Sequence, residues 1–118
     1  MLAPRGLDNK TRAIWRDTRQ YLIDAGLWEH TDAPLLERYV RALHRAEIAR
    51  KAADKQPFVM GSKNQLVAHP GYRVARESEL DASKYAEQLL LTPAMRLKHG
   101  MAQSEDTETL DDLLRLGE

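Results

Sequence analysis

The sequence predicts a mainly α-helical protein, on three observations. Alanine, leucine, arginine and glutamate are plentiful, while there is one Phe and there are few β-branched residues, a balance that favours helices. Apolar residues recur three and four apart through three long segments. Start and stop signals frame the helices: Asp8, Asp32, Pro70 and Thr92 at beginnings, Gly26 and Gly100 at ends. The expected order is a helical hairpin, a short β-hairpin, a long helix and a short C-terminal helix.

The first helix is expected over residues 8–25. Asp8 or Asn9 caps it, because a short side-chain oxygen satisfies the free N–H groups of the first turn. Gly26 supplies a left-handed stop. Ile14, Trp15, Thr18, Tyr21, Leu22 and Ala25 form the inward side, with Arg12, Arg16 and Arg19 opposite. The second helix opens at "TDAP", with Asp32 as N-cap and Pro34 in the first turn, and continues to about Asp54. Leu36, Tyr39, Val40, Leu43 and Ala46 make its apolar stripe, and Arg38, Arg41 and Arg45 line its back. The short link "GLWEHT" makes these two helices an antiparallel hairpin.

"PFVMGSKNQLVAHP" breaks the helical period. Phe58–Met60 and Leu66–Ala68 flank the turn formers "GSKNQ", which reads as a small β-hairpin. Pro70 starts a third helix to about Leu90, whose inner side carries Ala75, Ser78, Ala82, Ala86 and Leu89, with Tyr85 beside them. Small residues at that spacing let another helix come close. In "LLLTPAMRLKHG" Pro93 biases Thr92 away from helical geometry, so the third helix must end there. Thr92 then caps a short helix closed by Gly100, in which Met95 and Leu97, together with Leu89–Leu91, are expected to seal the end of the bundle. Residues 1–100 are expected to form one helical domain. Residues 101–118 are expected to be an acidic linker and an amphipathic tail bearing Leu110, Leu113 and Leu114 behind a Thr109-x-x-Asp112 capping box.

Charge divides the same way. Net charge is zero, yet residues 1–100 carry 17 Lys and Arg against 12 acids, and residues 101–118 carry one Arg against six. A basic body with an acidic tail suits two different partners. There is no cysteine, hence no disulfide, thiolate metal site or thiol nucleophile. The first ten residues have no apolar core of a leader, and no stretch approaches the ~20 apolar residues of a membrane span. No membrane partner and a cytoplasmic location are expected.

Catalytic constellations are also missing from the sequence. His30, His44, His69 and His99 have no zinc-site spacing, and no GxxxxGK[ST] phosphate loop occurs. The chain reads as non-enzymatic, with no cofactor and no metal. The arginine rows are the stronger signal. Lys10, Arg12, Arg16, Arg19, Arg38, Arg41 and Arg45 are the candidate contacts to a DNA backbone, by Coulomb attraction and forked hydrogen bonds. A body of net charge +5 binds a duplex weakly as one copy, so affinity is expected to come from repetition in an oligomer.

The segment "HPGYRVARESELDASKYAEQLLLTPAMRLKHG" resembles the end of the phage small terminase subunits of the P27 type. In that family His-Pro or Asn-Pro opens a helix that ends in a Leu-Thr-Pro-x-x-Arg corner. Here these are His69-Pro70 and Leu91-Thr92-Pro93-Ala94-Met95-Arg96. Upstream, a Gly-Leu followed by an Asp and the Leu36-Glu37-Arg38-Tyr39 step is also similar. One departure is Leu90, where the family often has glycine. The resemblance covers residues 8–100. It implies a homo-oligomeric ring that recognises double-stranded viral DNA at the packaging-initiation site, in the host cytoplasm. It also implies delivery of that DNA to a large terminase subunit, which holds the ATPase and nuclease. Leu110, Leu113 and Leu114 are then the expected contacts to the large subunit. The alternatives are a phage-encoded helix–turn–helix regulator, which needs an exposed recognition helix, and an adaptor that binds protein only.

Overall fold

The computed structural model describes residues 3–100 and is mainly helical. Helix α1 spans Asn9–Asp24, a single 3-10 turn spans His30–Asp32, and α2 spans Ala33–Lys55. Strands β1 (Phe58–Met60) and β2 (Leu66–Ala68) follow, then α3 over Pro70–Gln88, and residues 93–100 are again helical. The chain divides into two compact units, with the boundary between Tyr85 and Ala86. Among the described residues no helix is long and apolar enough to cross a membrane.

In the first unit α1 and α2 pack as the expected antiparallel hairpin. Asp8 caps α1: the Thr11 N–H donates to its Oδ1 at 2.8 Å. Gly26 stops it with φ of 72°. The Leu27 N–H reaches the Leu22 carbonyl at 2.9 Å and the Gly26 N–H reaches that of Ile23 at 3.0 Å, the paired bonds of a Schellman stop. Asp32 departs from expectation. It does not cap α2; its Oδ2 turns back to accept from the Glu29 N–H at 3.0 Å, so the 3-10 turn begins the helical path one turn earlier.

The core of this unit centres on Trp15, Leu22, Leu36 and Val40, all essentially fully buried. Each such side chain contributes about 1.5–3 kcal/mol when taken out of water. Along α1 the buried stripe is Thr11, Trp15 and Leu22. It lies to one side of the expected stripe: Ile14 and Thr18 are half-buried, Ala25 is exposed and Tyr21 is 40% exposed. Arg12 and Arg16 are exposed as expected, but Arg19 is not opposite the core. Arg19 stands four residues from Trp15, only ~40° round the helix from it, and is half-buried.

The β-hairpin has the expected strands in the register Phe58↔Ala68, Val59↔Val67 and Met60↔Leu66. Its turn closes when the Asn64 N–H donates to the Gly61 carbonyl at 3.1 Å and the Gly61 N–H to that of Gln65 at 2.7 Å. Asn64 takes the left-handed φ of 58° that this turn requires and that asparagine tolerates. Val59 and Val67 are half-buried on one face. On the other, Phe58, Met60 and Leu66 are 63%, 60% and 70% exposed.

Gly71, Ala75, Ser78 and Ala82 form the buried stripe of α3, largely as the sequence suggests. α3 comes close to α2 at Gly71, where an added Cβ would lie 2.6 Å from the Ala49 carbonyl oxygen. Pro70 begins the helix, and the His69 Nδ1 accepts from the Gly71 N–H at 2.8 Å. An asparagine Oδ1 could accept in the same way, which is the chemistry that His-Pro and Asn-Pro share.

In the second unit α3 ends on a second Schellman stop. The Leu90 N–H donates to the Glu87 carbonyl at 3.1 Å and the Leu91 N–H to that of Ala86 at 2.9 Å. Leu90 takes a φ of 62°. Thr92 caps the following helix as expected, its Oγ1 accepting from the Met95 N–H at 3.3 Å. Two expectations fail here. Leu97 is 67% exposed and seals nothing; it stands two residues from half-buried Met95, about 200° round the helix. Gly100 is itself helical, without a left-handed φ, so it is not a stop. The expected tail, with Leu110, Leu113 and Leu114, lies outside the described residues.

Candidate nucleic-acid interface

The seven cationic residues expected to meet DNA fall into three groups. Arg16, Arg38 and Arg45 are exposed, and among the described residues they make no hydrogen bond or ion pair. Their guanidinium groups keep all their donors for an outside acceptor.

Lys10, Arg12 and Arg41 are partly engaged. The Lys10 Nζ lies 2.9 Å from Glu47 Oε1 and so ties the start of α1 to α2. The Arg12 Nη2 donates to the Leu7 carbonyl at 3.2 Å. Arg41 is held more firmly, with Nε and Nη2 both on Glu37 Oε1 at 3.0 and 2.9 Å and Nη2 also on the Arg5 carbonyl at 3.0 Å. Exposed pairs of this kind are worth little in water, so Lys10 and Arg12 can exchange partners at small cost.

Arg19 serves the fold. Its guanidinium carbon lies 5.9 Å from the Trp15 ring centre and 5.6 Å from that of Trp28. It stacks on α1's buried tryptophan and on the tryptophan of the connecting loop at once, a cation–π pin across the hairpin bend. Its Nε is buried without a hydrogen-bond partner among the described residues, as is the Trp15 Nε1.

Acidic neighbours tune the hairpin's open end. Asp8 has a carboxyl pKa below the ordinary range, first through its bonds from Thr11 and then through the charges of His44 and Lys10. His44 Nδ1 is 3.6 Å from Asp8 Oδ2. The Glu47 carboxyl is likewise lowered, by its hydrogen bonds from Lys51 and Lys10. His44 thus sits in an electrostatic corner of the fold. Among the described residues no three His, Asp or Glu side chains gather as a metal site.

Packing creates a second basic surface that the sequence does not single out. A cleft of about 680 Å³ opens between α2 and the start of α3, and Arg50, Arg73, Arg76, His69, Tyr72 and Glu79 line it. Arg50 grips Glu79 Oε1 through Nε at 3.0 Å and Nη2 at 2.8 Å. The Tyr72 hydroxyl donates to Asp54 Oδ1 at 3.0 Å, and that bond raises its pKa above the ordinary phenol value. Only the i, i+3 spacing of Arg73 and Arg76 could have flagged this surface, and Arg50 joins them through tertiary packing alone.

The family model for phage terminase, small subunit, matches residues 11–106 of the chain. Comparisons with curated proteins and with solved structures give no match.

Proposed function

The chain belongs to the phage terminase small subunits, and from that premise we propose that it is a non-catalytic DNA-packaging factor. Several copies bind double-stranded viral DNA at the packaging-initiation site and pass it to the large terminase subunit in the host cytoplasm. The large subunit supplies ATP hydrolysis and cleavage.

The observation that carries the DNA reading is the set of exposed, uncommitted guanidinium groups on Arg16, Arg38 and Arg45. Lys10 and Arg12 add donors that loose surface pairs release. Arg41 contributes less, because Glu37 occupies two of its nitrogens. Arg19 contributes by holding the hairpin bend.

Self-assembly is supported by the hairpin face of Phe58, Met60 and Leu66. A two-stranded hairpin is marginal alone, and three large apolar side chains on one exposed face gain by being covered. The small-residue stripe of α3 is not available for that contact, because the chain's own packing buries it. In a closed assembly each copy offers the same guanidinium set, and avidity replaces the affinity that one copy lacks. Leu110, Leu113 and Leu114 remain the proposed contacts to the large subunit, with deletion of residues 105–118 as their test.

Charge reversal tests the DNA reading. Arg16→Glu, Arg38→Glu and Arg45→Glu together should abolish duplex binding in a gel-shift titration while light scattering shows assembly unchanged. Unaltered duplex affinity would remove these residues from the interface.

A further inference from the structure

We propose that the cleft between α2 and the start of α3 seats a phosphate of the DNA backbone. This rests on the DNA-binding reading above and adds a contact on the helix that packs against α2 from beyond the α1–α2 hairpin.

The cleft is cationic in an uneven way. Its lining carries three arginines and one carboxylate, Glu79. Arg50 holds Glu79 with two nitrogens, so that pair carries no net charge and the excess positive charge of the lining comes from Arg73 and Arg76. Arg50 keeps its remaining Nη1 free of that pair and is fixed in place by it. Arg73 is paired only with Glu77, at 3.4 Å and with both side chains largely exposed. Water screens such a pair, and it yields readily to a better acceptor. Arg76 makes no hydrogen bond or ion pair among the described residues. One clamped guanidinium, one loosely held and one uncommitted therefore converge on one concave surface.

The chemistry of that surface matches a phosphodiester. Its two terminal oxygens accept forked N–H donors, and arginine forks fit them in plane. His69 adds a neutral donor: its Nδ1 accepts from the Gly71 N–H, which leaves the ring proton on Nε2. Ala68 and Pro70 give the cleft an apolar wall suited to a sugar face. The arginine heads are exposed, so they suit a polymer running across the opening better than a small anion enclosed within it. All three cations are arginine, the choice for oriented contact with phosphate over a bare point charge.

The test uses the full chain and a labelled duplex, with affinity measured over a salt series. The Arg73→Gln/Arg76→Gln double variant should bind about tenfold or more weakly, and its log–log salt slope should fall by about one to two, roughly one for each phosphate no longer neutralised. Both side chains are exposed, so helical content and oligomer size should match the parent. Lys63→Gln/Lys84→Gln removes the same charge elsewhere and should stay near the parent value. A double variant with parental affinity and slope overturns the cleft assignment, as does an equal loss in the lysine control. If a glutamate-rich peptide binds the parent and not the double variant while duplex affinity is unchanged, the cleft takes carboxylates and the phosphate assignment is wrong. A parent chain that binds no duplex removes the DNA reading itself, and the cleft assignment with it.

Discussion

The backbone N–H of Leu91 reaches back to the carbonyl of Ala86 at 2.9 Å. Closing that bond forces Leu90, the residue just before Leu91, into the left-handed region at φ 62°. A residue with a Cβ is strained there by about 1–2 kcal/mol, and glycine is the usual occupant. α1 ends through the same pair of bonds with Gly26 in that place. The glycine common in the resembling family at this corner thus has a backbone reason.

Leu90→Gly should raise the thermal midpoint, by the equivalent of roughly 1 kcal/mol less the packing that half-buried Leu90 provides. Gly26→Ala should do the reverse by about 1 kcal/mol, although nothing lies within 4 Å of the added Cβ. Thermal denaturation of the two variants checks the pair. A Leu90→Gly protein that melts below the parent would show that packing outweighs strain at the corner.

Arg19→Ala should cost stability, because it removes the cation stacked between Trp15 and Trp28. A loss of about 1–2 kcal/mol is expected for the two partly desolvated contacts together. Arg16→Ala, on the same helix and without such contacts, should leave the urea midpoint unchanged. If the two variants unfold alike, Arg19 is an ordinary surface arginine.

Gly71→Ala should destabilise the packing of α3 on α2 by about 1–3 kcal/mol. The new methyl would lie 2.6 Å from the Ala49 carbonyl oxygen, which is backbone and cannot rotate away. Chemical denaturation measures the loss. Unchanged stability would mean that α3 shifts freely at its start.

Acid should weaken the fold through Asp8 and Glu47. Their folded-state pKa values are depressed, Asp8 chiefly by Thr11 and Glu47 chiefly by Lys51. The stability they add is complete above their unfolded values near 4 and is lost as pH falls through the lower folded values. A thermal midpoint followed downward from pH 6 should hold until about pH 4–5 and then drop. Asp8→Asn keeps a capping oxygen but cannot titrate, so its drop should be shallower. An identical pH profile in that variant would show that Asp8 takes no part in the acid transition.

Much of this fold is legible in the sequence because short-range chemistry decides it. Asp8, Gly26, Asn64 and Thr92 each act within four residues, and the strands flanking "GSKNQ" fall on the two short apolar runs beside its turn formers. The Ala75–Ser78–Ala82 stripe is legible for the same reason. The placement of Arg19 is not. Trp15 and Leu22 set the buried line of α1, but Ile14, Thr18 and Tyr21 pull the apparent stripe aside and hide that Arg19 lies near it. Asp32 escapes a local reading because two caps one turn apart compete, and its carboxylate serves the earlier one. The α2–α3 cleft depends on Arg50 and Glu79 meeting across 29 residues, which no local pattern announces.

Sedimentation velocity of the full chain with a labelled viral duplex at moderate salt tests most directly whether many copies together hold one duplex. The free protein should sediment as an oligomer. With DNA it should form a heavier complex of several protomers per duplex that dissolves steeply as salt rises. A protein that remains monomeric at high concentration and leaves the duplex sedimenting alone in dilute buffer would contradict this.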